Sequence, residues 1–325
     1  MSITAALFIA LCSTSNITGY ELPRWQGKTA AEWANELEST PPTEANIPVR
    51  WFATYALGQL GPDAASALGT LHKTLEKKSE HEYIRGTAAW AIGRIVPEGR
   101  SEIDLLRETM HSVGHISVRR NSVQALGNFG SAAHAAVPEL LGMLKNDDAV
   151  TRIDAAASLW KIDRNEQGVQ FLIAAMKDKD PTTAYQACVA LGTLVEPPAS
   201  VAAALVAAFG SPEADVRRAA ARSIGHMGAA AFPAFQQARP LDNSNTSVRL
   251  ATVESLSWMG PIAVRPLTAA LKNSVPDVRH QAALALGALG AAAKSAEPEL
   301  LKTVNDSDEA VAAAAAKALR QVEAR

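Results

Sequence analysis

The sequence predicts an all-α protein: a right-handed α-solenoid, or α–α superhelix, of about nine stacked helical hairpins. Three observations lead there. Hydrophobic residues make up 48% of the 325 but aromatics only 5%, and alanine, the best helix former, supplies much of the apolar content, so each layer must be thin and closely packed. A motif opening on Val-Arg and closing on Gly recurs at intervals near 33 residues. Between its copies lies a shorter pattern with proline near its start and lysine near its end. The charge balance, 31 basic against 33 acidic residues and a formal charge of −2, gives no overall pull toward phosphate backbones or anionic lipid and disfavours nucleic acid as a partner.

At the N-terminus, Ile3 to Cys12 form an uncharged apolar run followed by the small polar residues Ser13 to Asn16, the order of a secretory leader. The run is far shorter than the roughly 20 residues that span a bilayer, although no Lys or Arg precedes it. Residues 1–19 are therefore expected to be a leader and 20–325 a single solenoid. The expected location is extracytoplasmic, periplasmic or secreted, with cytoplasmic the alternative, and no stable membrane insertion follows leader removal. Cleavage would leave Cys188 as the one cysteine, which excludes an intramolecular disulfide.

Searching the rest for self-similarity aligns Val49-Arg50 to Gly61 with Val118-Arg119 to Gly130, Val216-Arg217 to Gly228, Val248-Arg249 to Gly260 and Val278-Arg279 to Gly290. Looser copies start near Arg85, Arg152, Ala184 and Ala312. With the Arg position as anchor, residues at −1, +3, +6, +7 and +10 fall on one stripe of a helix, which is the predicted buried face. Glycine at +8, and often at +11, is read as the helix stop. The proline-led segments Val137 to Lys145, Arg265 to Lys272 and Glu297 to Lys302 are the first helices of their hairpins. Asp147, Asp148, Asp215, Asp277 and Asp306 lie in the turns as N-cap candidates. In the first unit, Thr29 and Glu32 have capping-box spacing.

The element V-R-x-x-A-x-x-A-L-G-x-L/I-G with its proline-led partner helix resembles short HEAT repeats of the phycobilisome-lyase-like group, over residues 27–325. The first unit's Gly27-Lys28-Thr29-x-x-Glu32-Trp33 is similar to the lead-in of exported bacterial HEAT proteins. It is not a phosphate loop, because Leu22 stands where such a loop needs glycine. The resemblance implies that the face opposite the buried stripe, at +1 and +5 and less centrally at +2 and +9, lines a concave surface.

On that face the sequence places Trp51, Tyr55, Trp90, Arg94 and Arg120 early, and Arg218, Arg222 and Trp258 late. Gln124, Asn128, Asp154, Tyr185, His226, Glu254 and His280 accompany them. Exposed aromatics and arginines dominate binding hot spots, so these eight are the candidate partner-binding residues. The alternative is that packing between repeats buries several of them. The recurring anchor arginines read as a structural ladder instead.

No residue set nominates chemistry. His111 and His115 have i,i+4 spacing, but Gly114 between them signals a helix end, so no metal site is assigned. The resemblance raises deoxyhypusine hydroxylase, a HEAT protein whose di-iron ligands are His-Glu pairs; here Gln281 follows His280, and His81-Glu82 precedes its anchor. Bilin lyases share the fold, yet no residues specify a tetrapyrrole. The common nucleophile, zinc, dinucleotide and phosphate-loop motifs are absent. The expected function is a non-enzymatic scaffold or adaptor presenting a groove to a protein or peptide, without cofactor or nucleic acid. A HEAT-type enzyme, bilin-lyase-like or deoxyhypusine-hydroxylase-like, is the alternative.

Overall fold

The computed structural model describes residues 23–95, 100–112 and 115–324; the expected leader at 1–19 lies outside them, as does Gly114. The first five hairpins pair α1 (Ala30–Ser39) with α2 (Ile47–Leu60), α3 (Leu68–Glu76) with α4 (Glu82–Ile95), α5 (Arg100–Thr109) with α6 (Ile116–Asn128), α7 (Val137–Met143) with α8 (Ala149–Asp163) and α9 (Glu166–Ala175) with α10 (Pro181–Gly192). Four more pair α11 (Ala199–Ala207) with α12 (Ala214–Met227), α13 (Phe232–Ala238) with α14 (Thr246–Trp258), α15 (Val264–Ala270) with α16 (Pro276–Leu289) and α17 (Glu297–Thr303) with α18 (Glu309–Glu323). Among the described residues the only β pairing is an isolated bridge between Trp25 and Lys28. Among the described residues the chain forms an α-solenoid of nine hairpins, as the period predicts.

The even-numbered helices pack side by side along the whole stack, whereas successive odd-numbered helices meet at few points. A stack packed tightly on one layer and loosely on the other curves toward the tight layer, so α2, α4 and their successors form the inner layer. The predicted stripe is the buried one: Ala53, Ala88, Ala155, Ala220 and Ala282 at +3, and Leu57, Ile92, Leu126, Leu159 and Ile224 at +7, have no exposed surface. Val49, at −1 of the first inner helix, is 41% exposed because no earlier inner helix covers it, while its counterparts Val118 and Val278 are fully buried. Two hydrophobic cores run through the stack, one from Ala30 to Ile162 and one from Ile153 to Val322, and they meet at α8.

The helix stops differ from expectation. α2 continues through Gly58, α4 through Gly93, α12 through Gly225 and α16 through Gly287. The glycine at +8 is a contact residue: a β-carbon there would stand 2.6 Å from Ala125 at Gly93, 2.6 Å from the Ser158 Oγ at Gly127 and 2.4 Å from Ser223 at Gly192. Its neighbours are the small +6 residues of the next inner helix, and Ser158 and Ser223 use the closeness to donate to the Val123 and Cys188 carbonyls, both at 2.9 Å. Termination belongs to +11, where Gly61, Gly130, Gly228, Gly260 and Gly290 all take positive φ; at Gly61, Gly228 and Gly290 it is joined to a ψ of −129° to −135°, a combination that favours glycine.

Capping follows the sequence in part. Thr29 and Glu32 form the reciprocal capping box at α1, and Asp148 caps α8 by accepting from the Thr151 N–H. Asp215 and Asp277 instead lie within the first turns of α12 and α16. Asp306 accepts from Arg279, and Asp308 takes the capping position of α18. The anchor arginines reach back to carbonyls at the end of the preceding helix or in the turn that follows it. Arg85 donates to Leu75 O at 2.9 Å, Arg152 to Asn146 O at 2.7 Å, Arg217 to Pro212 O at 2.7 Å and Arg279 to Asn273 O at 2.8 Å. Arg50 is buried with Glu80 and also bonds the Leu37 and Thr40 carbonyls. The ladder is structural.

Candidate functional site

The inner face carries the candidate residues in three places. At the N-terminal end, Trp51 and Tyr55 lie one turn apart on α2 and stack at 5.3 Å, 13° from parallel. Tyr55 stacks in turn on Trp90 of α4 at 5.2 Å and 6°. The Arg94 guanidinium lies 5.1 Å from the Trp90 ring centre, and its Nε donates to Gly58 O at 2.9 Å. Four of the eight predicted residues thus form one continuous stack across two helices. The stack exists because Gly58 lets the Trp90 ring lie directly on α2.

The three rings are half-buried against one another, so the alternative reading holds in part: packing covers their faces and leaves edges toward the groove. A residue outside the eight completes the arrangement. Trp25 meets Tyr55 edge-on at 5.8 Å and also packs on Phe52 and Trp33, and its carbonyl accepts from the Trp33 indole N–H at 3.1 Å. It lies before the first repeat, so the periodic pattern had no position for it.

In the middle of the face, Arg120 is an internal ion-pair partner. Its Nε donates to Asp154 Oδ2 at 2.8 Å, while Gln124 donates to Asp154 Oδ1 at 2.9 Å. Burial pushes the Asp154 carboxyl above the ordinary carboxylate range, against the opposing pull of Arg120 and Gln124. This cross-helix bridge ties α6 to α8 and occupies the Nε of Arg120.

Toward the C-terminus, Tyr185, Arg218, Arg222 and His226 line a groove of about 770 Å³ between α10 and α12. Arg218 pairs with the exposed Asp215 at 3.2 Å. Arg222 lies 5.8 Å from the ring centre of Trp258, and His226 meets the same ring edge-on at 6.0 Å. Trp258 is 52% exposed and sits over Gly225 much as Trp90 sits over Gly58: a β-carbon at Gly225 would be 2.6 Å from it. Burial raises the Glu254 carboxyl, and Arg218 and Arg222 lower it. Arg218, Arg222 and Trp258 are therefore brought together, several helices from the N-terminal stack.

His115 faces Glu82 at 3.3 Å, while His111 lies exposed beyond α5. Among the described residues no cluster of three His, Cys, Asp or Glu side chains is placed to hold a metal. No helix among them is long and apolar enough to cross a membrane.

Comparison with known proteins places this geometry in context. A search of curated proteins finds no significant sequence match. Among solved structures, human deoxyhypusine hydroxylase in complex with glycerol aligns over 90% of this chain and 96% of its own, at 18% identity and TM-score 0.36. Importin beta aligns over 90% of this chain and 47% of its own, at 14% identity and TM-score 0.44. A chain in a homology model of the full-length AP-3 complex aligns over 82% of this chain and 53% of its own, at 12% identity and TM-score 0.50. The chain thus spans about half the length of the latter two, and at these identities the likeness concerns fold alone. The family profile for HEAT repeats matches residues 73–160, 103–192, 202–287 and 264–324. Those matches take in most of the hairpins described above, and the chain belongs to the HEAT-repeat family.

Proposed function

We propose that the protein is a non-enzymatic scaffold whose inner face holds a protein or peptide partner. The observation that carries this reading is the stack Trp51–Tyr55–Trp90–Arg94, an aromatic and guanidinium surface fixed across two helices. Side chains already held by packing lose little freedom on binding, which favours them as anchors. The nine-hairpin stack displays this surface and the Arg218–Arg222–Trp258 patch on one rigid support. Replacing both Trp51 and Trp90 by alanine should weaken capture of partners from extracts of the source cell and leave the helical circular dichroism unchanged. Unchanged capture rejects the assignment. The enzymatic alternative lacks a donor set in the sequence, since Gln281 follows His280 where a di-iron hydroxylase needs glutamate. Metal analysis and a visible absorption spectrum of the purified protein test it, because bound iron or a chromophore would replace the scaffold reading.

A further inference from the structure

The inner face differs in charge from the rest of the molecule. At its inward positions (+1, +2, +5 and +9 of the nine inner helices) stand Arg94, Arg120, Lys161, Arg218, Arg222 and Lys317, against the carboxylates Asp154 and Glu254 alone. The face has an excess of four positive charges within a chain of formal charge −2, so the remainder has an excess of six negative charges. Burial shifts both of the face's carboxyls toward their neutral forms and shifts the Lys161 ammonium the same way, so the contrast rests on the arginines, whose charge is fixed.

Several of the cations remain available. Arg94 uses its Nε on Gly58 O, leaving its two terminal nitrogens without a bond inside the described residues. Arg222 makes no hydrogen bond there; its guanidinium lies over Trp258 and pulls on the Glu254 carboxyl from a distance. Arg218, Arg222 and His226 follow one another at four-residue intervals on α12, about 6 Å apart along the helix axis, and face Tyr185 across the groove, whose one carboxylate, Asp215, is taken by Arg218.

We infer that the inner face recognises an acidic protein segment: carboxylates pair with Arg94 and Arg222, and apolar side chains rest on Trp90, Tyr185 and Trp258. This rests on the scaffold reading and specifies the partner's chemistry. Arginine's planar fork pairs with carboxylate in two parallel bonds, and cations interleaved with aromatics suit a segment that mixes acid with apolar residues. Nucleic acid fits less well, because Arg120 is held by Asp154 and the cations are spaced across separate helices without a continuous track for phosphates.

The test is selection of a random 16-residue peptide display library on the immobilised full chain, with a fluorescent oligouridylate titrated in parallel. Enriched peptides should carry an excess of Asp and Glu with at least one aromatic or leucine residue. The affinity of a selected peptide should fall at least tenfold in the Arg94→Glu, Arg222→Glu double variant. Should that variant lose helical circular dichroism, Arg222→Gln alone, a change on an exposed side chain, should cost at least threefold. Enrichment without acidic bias, or tighter binding of oligouridylate than of any selected peptide, overturns the acidic-segment inference. Failure to enrich any peptide overturns it together with the peptide-binding reading beneath it.

Discussion

The Trp90 ring occupies the space that a side chain on Gly58 would need: a β-carbon there would stand 2.2 Å from the ring. The glycine thus sets the distance between α2 and α4 and seats the stack that joins Tyr55 to Arg94. Alanine is better than glycine in a helix by about 1 kcal/mol, but a rigid indole cannot yield at that distance. We expect Gly58→Ala to destabilise the protein by about 1–2 kcal/mol net of the propensity gain and to change the near-ultraviolet circular dichroism of the stacked rings. Gly142→Ala in α7, where nothing lies within 4 Å, should instead be neutral or raise stability by up to ~1 kcal/mol. Urea unfolding of the two variants checks the contrast, and equal effects would remove the contact role of Gly58.

Arg50 is the most enclosed of the anchor arginines, paired with the buried Glu80 and bonded to the Leu37 and Thr40 carbonyls. Arg50→Leu should destabilise by about 3–5 kcal/mol, because it leaves a carboxylate buried without its partner. Adding Glu80→Gln should recover part of that loss. A double-mutant cycle by urea denaturation measures the coupling, and additive effects would show that the pair does not act as a unit.

Cys188 lies inside α10 with no exposed surface, and burial raises its thiol to about 12. The thiolate is the reactive form. A thiol reagent such as DTNB at pH 8 should therefore leave the native protein unlabelled at this residue and label it after denaturation. Rapid labelling of the native state would place the thiol at the surface.

Acid should destabilise the molecule in a defined direction. Hydrogen bonds from Thr183 hold Asp180 below its ordinary value of 3.8, and those from Arg279 do the same for Asp306. A folded-state pKa below the unfolded one gives a contribution that is full above the unfolded value and is lost as pH falls through the folded one. Stability should stay level near neutrality and decline below about pH 4. Asp180→Asn with Asp306→Asn should flatten that decline. Asp154 has the opposite sign, since its carboxyl is raised, so Asp154→Asn should steepen it. Thermal melts from pH 7 to pH 3 provide the profile.

The solenoid was legible because every inner helix solves the same packing problem with the same residue types: Leu57, Ile92 and Leu126 recur at one offset and are buried alike. The candidate residues were legible as a face for the same reason. Their grouping was not, because Tyr55 meets Trp90 across a helix boundary whose width depends on Gly58, and periodicity within one helix carries no information about that distance. The role of the +8 glycine was misread for a related reason. A glycine near a helix end signals termination locally, but here the neighbouring hairpin demands it. Arg120 looked free in sequence because Asp154 lies on the next inner helix. Trp25 precedes the first repeat, where no period exists to assign it a side.

The meeting of the two cores at α8 has a mechanical consequence. Ala155, Leu159 and Ile162 of that helix belong to the N-terminal core, while Ile153, Ala156 and Trp160 belong to the C-terminal one. A tensile load applied to the two ends must cross this single fifteen-residue helix, gripped on each flank by largely separate sets of side chains. Drawn apart, the molecule should part there first, leaving two shorter rods that each retain a sealed interior.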